Sequence, residues 1–563
     1  MMPNIFAQCH PISRLEDLEE VLQNQPSWVD RVEILTPRSS IVVPNTISDC
    51  HSDPGNFLSR RAQRVDSRCV PKTLICHDYK GGYLADKYLH FPGEEIIGNG
   101  YTFYNWSQVD IFVYFSHHFI TIPPLSWINA AHKNGVKVLG TLITEFDPGT
   151  EICQKIFKNT ESMMEFAKSL AKVTKIFGFD GWLLNIENKV EQIETLKMFV
   201  PFLSNLIHED NPGNLVIWYD SVTIHGDLNW QNELNDHNRY FFDSCDGIFL
   251  NYTWTEETLM KTSKNAKGRH FDVFVGVDVF GRNMYGGGKM NTYKALKIVK
   301  QNNLSLAIFA PGWTHETLEK TENFFEDFLQ RDSLFWRSLW PYFYSHPISN
   351  YFTTNFCIGL DKIHYNLFNQ QQQLSHCLYP ADWKPGDDNE QTIKTIIGRC
   401  RCLQSTLVDS KNACLITKKN IERVGDYVHN LFICDIEVEN NVVVFYLTKS
   451  VDENMASLSI NLWVSGCNGS TRKILLLDKR KDEPINNSSV LEVNQAESPD
   501  IRENIRNRYY KKIQEEQWSL SVYVFNLPLC NILEIGGIIN NGMSIYLGAF
   551  GVENADGSYL VSA

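Results

Sequence analysis

The chain has 563 residues, of which 43% are apolar and 21% charged, so it can bury a large core and is not compositionally disordered. Its 52 basic and 66 acidic side chains give a formal charge of −14, which argues against nucleic acid or an anionic membrane surface as a partner. No window of about 18 apolar residues exists, and the first twenty residues lack the basic and apolar regions of a signal peptide. These features predict a soluble, cytoplasmic protein.

The distribution of the cysteines is also typical of a cytoplasmic protein. There are 14 of them, scattered along the chain and often inside apolar runs, as is typical of reduced, buried thiols. The one close pair, Cys400 and Cys402, has neither a second pair nor a histidine cluster nearby and gives little ground for a metal site. We therefore expect no structural metal and no disulfide framework.

The first 70 residues are polar and turn-rich, and with one short predicted helix at 13–23 they are interpreted as an N-terminal extension. Between 73 and 312, short apolar β-branched runs alternate with segments of helical periodicity. Eight such runs can be counted, at 73–77, 110–116, 137–144, 181–187, 215–221, 247–252, 274–280 and 305–311. Eight buried strands alternating with helices predict an α/β fold, a (β/α)8 TIM barrel, over residues 71–345. An open doubly wound sheet is the alternative, but no glycine-rich phosphate motif follows the first run.

Beyond the predicted barrel the helical periodicity disappears. Strict alternation of apolar and polar residues takes over at 457–466 and 518–527, and an Asn541-Gly542 turn precedes another strand-like run. Residues 346–563 are therefore predicted to form a C-terminal antiparallel β-sandwich of one or two modules. A polar, charged insertion around 478–516 interrupts it.

The fourth predicted strand carries the most informative side chains, because barrel active sites form at the C-terminal ends of the strands. A period of two sends Asn185 and Glu187 inward, about 7 Å apart at the barrel mouth, while Asp180 lies roughly 23 Å away at the other end. A carboxylate at the rim can act as a general acid/base if apolar neighbours raise its pKa. The alternative is a structural carboxylate held by a basic side chain.

The inward neighbour of Glu187 on the same strand limits which glycosidase mechanism the site can use. Retaining glycosidases normally pair the acid with a second carboxylate roughly 5 Å away, but here the inward neighbour is the neutral amide of Asn185. An amide cannot attack an anomeric carbon, although it can hold and polarise another amide. The pattern therefore fits a reaction in which the 2-acetamido oxygen of the substrate is the nucleophile and forms an oxazoline.

Seven motifs, in order along the chain, carry a family resemblance. They are HDYKGGYL (77–84), YFSHHFITIPPLSWINAAHKNGVKVLGTLITE (114–145), FDGWLLNIEN (179–188), WYDSVTIHGDLNWQNELN (218–235), FLNYTW (249–254), GVDVFGR (276–282) and APGW (310–313). Together they resemble the family-85 glycoside hydrolases, the cytosolic endo-β-N-acetylglucosaminidases. The resemblance implies hydrolysis of the β-1,4 bond between the two core GlcNAc residues of N-linked glycans or free oligosaccharides, with retention and possible transglycosylation.

The resemblance also implies roles for individual residues. Glu187 would be the acid/base, Asn185 would orient the acetamide, and Tyr219 would bond near it. Trp230 and Trp254 would form apolar walls against the sugar. Further residues at strand ends are expected to line the site: His118, Asn251, Asp278 and Trp313.

Several of these residues have structural alternatives. Trp230 and Trp254 can be core residues, since the chain has 13 tryptophans, and Asp220, which points away from Tyr219, is expected to secure a loop. The adjacent His117 and His118 invite a metal interpretation, yet no third ligand accompanies them at suitable spacing. No metal and no cofactor are expected.

Two other functions remain as alternatives. A noncatalytic carbohydrate-binding barrel would be recognised by the loss of Asn185 or Glu187, and both are present. A family-18-like chitinase would need an additional inward carboxylate where Leu183 and Asn185 stand. The preferred glycan type and the oligomeric state are left open by the sequence.

Overall fold

The computed structural model describes residues 8–45, 64–87, 101–103, 105–322, 324–354, 404–408, 411–417, 428–450, 457–466, 471–477, 490–493, 499–539 and 544–555. The Cys400/Cys402 pair and the Asn541-Gly542 turn lie outside these residues. Within them the chain forms a closed parallel barrel followed by two packed β-sheets. No helix in these ranges is long and apolar enough to cross a membrane.

Eight parallel strands form the barrel. In chain order they are β1 (Thr73–Asp78), β2 (Ile111–Phe115), β3 (Lys137–Glu145), β4 (Gly181–Glu187), β5 (Leu215–Tyr219), β6 (Gly247–Leu250), β7 (Val273–Asp278) and β8 (Ser305–Phe309). Each strand pairs in parallel with the next, and β8 pairs with β1, so the sheet closes on itself. The predicted (β/α)8 barrel is confirmed, and each of the eight apolar runs overlaps one strand.

Helices follow or precede the barrel strands on the outside. They are Leu125–Lys133, Phe146–Ile156, Thr160–Phe177, Ile193–Asp210, Arg239–Asp243, Glu256–Asn265, Thr292–Gln301, Trp313–Glu316 and Phe324–Leu339. The helix before β4 shows why they form where they do: the Asn159 side chain caps its first turn by accepting from Ser162 N, and Gly178 ends it at φ 66°. This end point sets where β4 begins.

Two apolar layers surround the strands. One fills the inside of the barrel and includes Leu183, while the other lies between the strands and the helices and includes Trp182 and Leu184. The two faces of β4 therefore point as its period of two predicts. Since both layers are buried, β4 is apolar along its length until it reaches Asn185 and Glu187 at the mouth.

Residues 8–45 pack along the outside of the barrel and include the helix Asp17–Gln23, within the segment predicted to be helical. Ile12 forms an antiparallel bridge with Ile120, which belongs to a short strand paired with β3. The buried Trp28 ring lies 5.4 Å from Phe177, centroid to centroid. Arg38 donates hydrogen bonds to three backbone carbonyls in the barrel's connecting segments. The extension is thus part of the barrel's packing.

The C-terminal region is one β-sandwich among the described residues. The first sheet contains Phe352–Thr354, Gln404–Val408, Lys411–Thr417, Asn441–Ser450, Ser519–Asn526 and Ser544–Asn554. The second contains Val428–Val438, Leu458–Gly466, Thr471–Leu476, Val490–Val493 and Cys530–Ile539. Side chains from both sheets form a single core. Part of the predicted insertion is ordered as the helix Pro499–Arg508, which packs Ile505 against Val443 and Phe445.

Barrel and sandwich meet through a short segment of the extension. A small antiparallel sheet joins Ile41–Pro44, Val65–Asp66 and Tyr344–Ser345. Beside it, Asp435 of the sandwich accepts hydrogen bonds from Ser39 Oγ at 2.5 Å and Arg64 Nη1 at 3.4 Å.

Candidate active site

Glu187 is the last residue of β4 and stands at the C-terminal mouth of the barrel. Burial raises the pKa of its carboxyl to about 7, and the negative charge of Glu145 adds to the rise. The indole Nε1 of Trp230 donates to Glu187 Oε1 at 3.3 Å and acts in the opposite direction. A carboxyl that keeps its proton near neutral pH can serve as a general acid.

A second carboxyl stands next to Glu187. Glu145 is the last residue of β3 and is the Cα partner of Glu187 across the strand pair. The Nδ1 atom of His117, after β2, lies 3.0 Å from Glu145 Oε2. Glu145 is not among the site residues that the sequence predicts, although its position at the end of the third apolar run is the signal that identifies it.

The metal interpretation of His117 and His118 finds no support in the described ranges, which contain no group of three potential ligands. His117 instead forms an ion pair with Glu145. The exposed His118 turns toward the extension, where its Nδ1 lies 3.1 Å from Ser13 Oγ. The structure therefore does not bring His118 to Glu187.

Asn185 lies two residues before Glu187 on the same face of β4. It is only 5% exposed, and its Oδ1 atom is buried without a hydrogen-bond partner among the described residues. An unsatisfied buried acceptor is costly and is therefore uncommon in folded proteins. Its place at the mouth makes it a natural acceptor for an N–H group of a bound molecule.

Tyr219 and Asn251, both predicted site residues, contact each other. The Tyr219 hydroxyl at the end of β5 donates to Asn251 Oδ1 at 2.8 Å, and Asn251 Nδ2 donates to Asn232 Oδ1 at 2.8 Å. Burial, and next the charge of Glu187, raise the pKa of Tyr219 well above its ordinary value, so the hydroxyl keeps its proton. This chain of bonds connects β5 to the loop that carries Trp230.

That loop is secured by Asp220, as predicted. The buried Asp220 carboxylate accepts from Asn232 N at 2.7 Å, Asn238 Nδ2 at 2.9 Å and Gln231 N at 3.3 Å. Trp230 is consequently held beside Glu187 while its side chain stays 40% exposed. An exposed indole next to the acid has the position expected of a sugar platform.

Trp254 and Trp313 do not share this position. Trp254 is 2% exposed, stacks on Tyr285 and donates from Nε1 to Gly276 O at 2.8 Å. Trp313 is 6% exposed, and the Arg331 guanidinium covers its ring at 4.0 Å. Buried rings of this kind leave no open face for a sugar, so the expected wall role of Trp254 and lining role of Trp313 do not fit this structure. Both follow the ends of strands, where alternation no longer fixes the direction of a side chain.

Asp278 lies at the mouth, at the end of β7, but its carboxylate is already hydrogen-bonded to the chain that follows. Its carboxylate accepts from Arg282 Nε at 2.7 Å and from Phe280 N at 3.0 Å. It therefore fixes the turn that follows β7. Of the predicted site residues, the structure gathers Glu187, Asn185, Trp230, Tyr219 and Asn251 around one side of the mouth.

The fold and this mouth define the chain as a TIM barrel with a glycosidase-like acid. Residues 85–363, about half of the chain, match the model of glycosyl hydrolase family 85. This part of the chain belongs to that family. It is 47% identical over 294 residues to the cytosolic endo-beta-N-acetylglucosaminidase of Mus musculus, covering 52% of this chain and 39% of that protein. It is 49% identical over 261 residues to cytosolic endo-beta-N-acetylglucosaminidase 2 of Arabidopsis thaliana, covering 46% and 37%.

The chain thus spans about two fifths of the length of these curated relatives. Among solved structures, it is similar to the glycoside hydrolase domain of Endo-D from Streptococcus pneumoniae R6. The TM-score is 0.63 at 16% identity, over 98% of this chain and 84% of that one. At that identity the likeness concerns the fold, and it extends over barrel and sandwich together.

Proposed function

We propose that this chain is an endo-β-N-acetylglucosaminidase that cleaves the β-1,4 bond between the two core GlcNAc residues of N-glycans. The observation that carries the proposal is the pairing, on one face of β4, of a carboxyl with its pKa raised to about 7 and a buried amide oxygen without a partner. The carboxyl supplies a proton, and the amide oxygen accepts a hydrogen bond from an acetamide N–H. The names of the family-85 relatives support the same activity.

In the first half-reaction, Asn185 Oδ1 accepts a hydrogen bond from the acetamide N–H and thereby makes the acetamide oxygen more nucleophilic. That oxygen forms a bond to the anomeric carbon while the bond to the leaving oxygen breaks. Glu187 transfers its proton to the leaving oxygen and becomes a carboxylate. The donor sugar is left as an oxazolinium ion whose N–H still faces Asn185.

In the second half-reaction, the Glu187 carboxylate takes a proton from a water molecule or a sugar hydroxyl. The oxygen so activated bonds to the anomeric carbon, and the bond to the acetamide oxygen breaks. Two displacements at the same carbon retain its configuration. Water as acceptor gives hydrolysis, and a sugar hydroxyl gives transglycosylation.

Neighbouring groups support this cycle. The Tyr219 hydroxyl, kept neutral by burial, is held by Asn251 beside the acetamide position, and Trp230 offers an exposed ring next to Glu187. A ring of this kind packs against the apolar face of a pyranose. The substrates proposed are N-linked glycans or free oligosaccharides in the cytosol, the compartment in the relatives' names.

The test is mass analysis of an N-glycoprotein after incubation with the chain. The expected result is a single N-acetylhexosamine left on asparagine, together with a released glycan that ends in GlcNAc. Glu187→Gln should release the glycan at least about a hundredfold more slowly, which controls for contaminating enzymes. Conversion of asparagine to aspartate would instead indicate an amidase and contradict the proposal.

A further inference from the structure

The barrel mouth holds a second carboxyl for which the proposed cycle has no use. Glu145 faces Glu187 as its Cα partner at the ends of adjacent strands, and its side chain is 18% exposed. Two carboxyl groups so placed share one proton more readily than they lose both, and the negative charge of Glu145 raises the pKa of Glu187. One of them must hold the proton over the range in which the enzyme works.

His117 decides which of them holds it. Its Nδ1 lies 3.0 Å from Glu145 Oε2, whereas Trp230 Nε1 contacts Glu187 at 3.3 Å. The hydrogen bond that His117 makes to Glu145 raises the pKa of His117 despite the opposing effect of burial. A protonated imidazole beside Glu145 stabilises the negative charge there, whereas an indole is a neutral donor. The proton therefore stays on Glu187.

Building on the proposed function, we propose that Glu145, hydrogen-bonded to His117, is a positioning residue that accepts a hydrogen bond from protonated Glu187 and keeps the Glu187 proton ready for the leaving sugar. Glu145 itself contacts no reacting atom. Glu187 is then held from two sides, by Glu145 on β3 and by Trp230 on the loop after β5. A carboxyl held in this way points its proton in one direction only.

The other charged and titratable groups around the mouth affect the Glu187 pKa less than Glu145 does. They include Asp78 on β1, whose charge also raises the pKa of His117, Tyr219 on β5, Asp220 after β5, Tyr252 after β6, Asp278 on β7 and Arg282 after β7. Burial raises the pKa of both tyrosines well above the ordinary value, so they remain neutral. Asp278 is paired with Arg282 at 2.7 Å. After burial itself, Glu145 has the largest raising effect on the Glu187 pKa.

The test is the pH profile of kcat/KM for Glu145→Gln. Without the neighbouring negative charge, Glu187 loses its proton at lower pH, so the alkaline limb of the profile moves to lower pH. Activity near pH 7.5 should fall roughly tenfold while activity near pH 5 changes little. Glu145→Asp, which keeps the charge, should restore part of the limb. Glu151→Gln, an exposed carboxylate on the helix after β3, is the matched control and should leave the limb in place.

A second measurement does not depend on turnover. Because Trp230 contacts Glu187, the fluorescence difference between the chain and its Trp230→Phe variant should titrate with Glu187, and Glu145→Gln should lower the midpoint. If folded Glu145→Gln keeps both the alkaline limb of the kcat/KM profile and the fluorescence midpoint of the wild type, the inference is overturned. A loss of activity that is equal at every pH would overturn it as well. If the wild type leaves no GlcNAc on asparagine, the proposed function fails, whereas the fluorescence midpoint still reports on Glu145.

Discussion

The indole nitrogen of Trp230 lies 3.3 Å from a carboxyl oxygen of Glu187, although the two residues are 43 positions apart. One residue ends a barrel strand and the other lies on a loop that Asp220 secures from below the mouth. This contact places an exposed aromatic ring directly beside a carboxyl of raised pKa. The arrangement leads to the following expectations.

For Glu187→Gln we expect the rate to fall roughly 10² to 10⁴ fold, since the amide keeps the shape of the side chain but cannot protonate the leaving oxygen. In the wild type, kcat/KM should decline as the pH rises through about 7, where Glu187 loses its proton. Steady-state kinetics on a free oligosaccharide that keeps both core GlcNAc residues would measure both. Glu191→Gln, an exposed neighbour, is the control and should behave as wild type. Near-normal activity of Glu187→Gln would remove this residue from the mechanism.

Asn185→Ala separates the two half-reactions. If Asn185 only orients and polarises the acetamide, its work is complete once the oxazoline exists, whereas Glu187 must still activate the acceptor. The variant should therefore fail on an intact glycan yet transfer sugar from a preformed oxazoline to a GlcNAc acceptor.

Glu187→Ala is the comparison for that experiment and should be poor with both donors. Product formation by each variant with each donor is measured by chromatography, with circular dichroism to verify folding. Normal processing of the intact glycan by folded Asn185→Ala would be incompatible with the substrate-assisted mechanism.

The two tryptophans expected at the sugar site should respond differently to replacement by alanine. Trp230→Ala removes a 40% exposed ring and should lower turnover with little change in melting temperature. Trp254→Ala removes a buried ring and should cost about 3 to 5 kcal/mol of unfolding free energy. Thermal melts and kinetics on both variants distinguish the roles. A large loss of stability in Trp230→Ala, with unchanged turnover, would assign it to packing.

A pH dependence of stability is expected from His132, at the opposite end of β4 from Glu187. Its ring nitrogens lie 2.6 Å from Glu33 O and 2.8 Å from Asp180 Oδ2, so the ring donates from both nitrogens when protonated. Burial lowers the pKa of His132, but the hydrogen bond and charge of Asp180 and the Glu33 carbonyl outweigh it and raise the pKa overall.

A raised pKa in the folded state favours the folded form at low pH. The stabilisation from His132 is therefore fully present below the unfolded pKa of about 6.5 and is lost as the pH rises through the folded value. Urea unfolding from about pH 5.5 to about 8.5 should show this decline. It should flatten in His132→Gln and persist in the exposed control His10→Gln. An equally steep decline in His132→Gln would assign the pH dependence to other groups.

The barrel could be predicted from sequence because each of its strands is buried on both faces and reads as an apolar run. The inward positions of Asn185 and Glu187 followed from the alternation along β4, which the two apolar layers confirm. That alternation stops at the end of a strand. The directions of Trp254, Trp313 and His118 depend on how the following loop turns, which local sequence does not encode.

Glu145 shows a second limit of prediction from sequence, which concerns contacts between strands. Its importance depends on the register between β3 and β4, which aligns it with Glu187, and on His117 from a third segment. Periodicity within one strand carries no information about register with the next. The third apolar run places Glu145 at the mouth, but its pairing with Glu187 is set only in the assembled barrel.

The N-terminal extension has a consequence for how the chain is made. Its Glu33 amide donates to Asn129, 96 positions later, and Ser39 and Arg64 contact Asp435, which is 396 and 371 positions later. A chain emerging from the ribosome exposes these residues before any of their partners has been synthesised. Contacts over such separations form slowly, so Trp28 and its apolar neighbours should stay accessible to chaperones during much of synthesis. Only when the sandwich has emerged can Asp435 fasten the early segment in place.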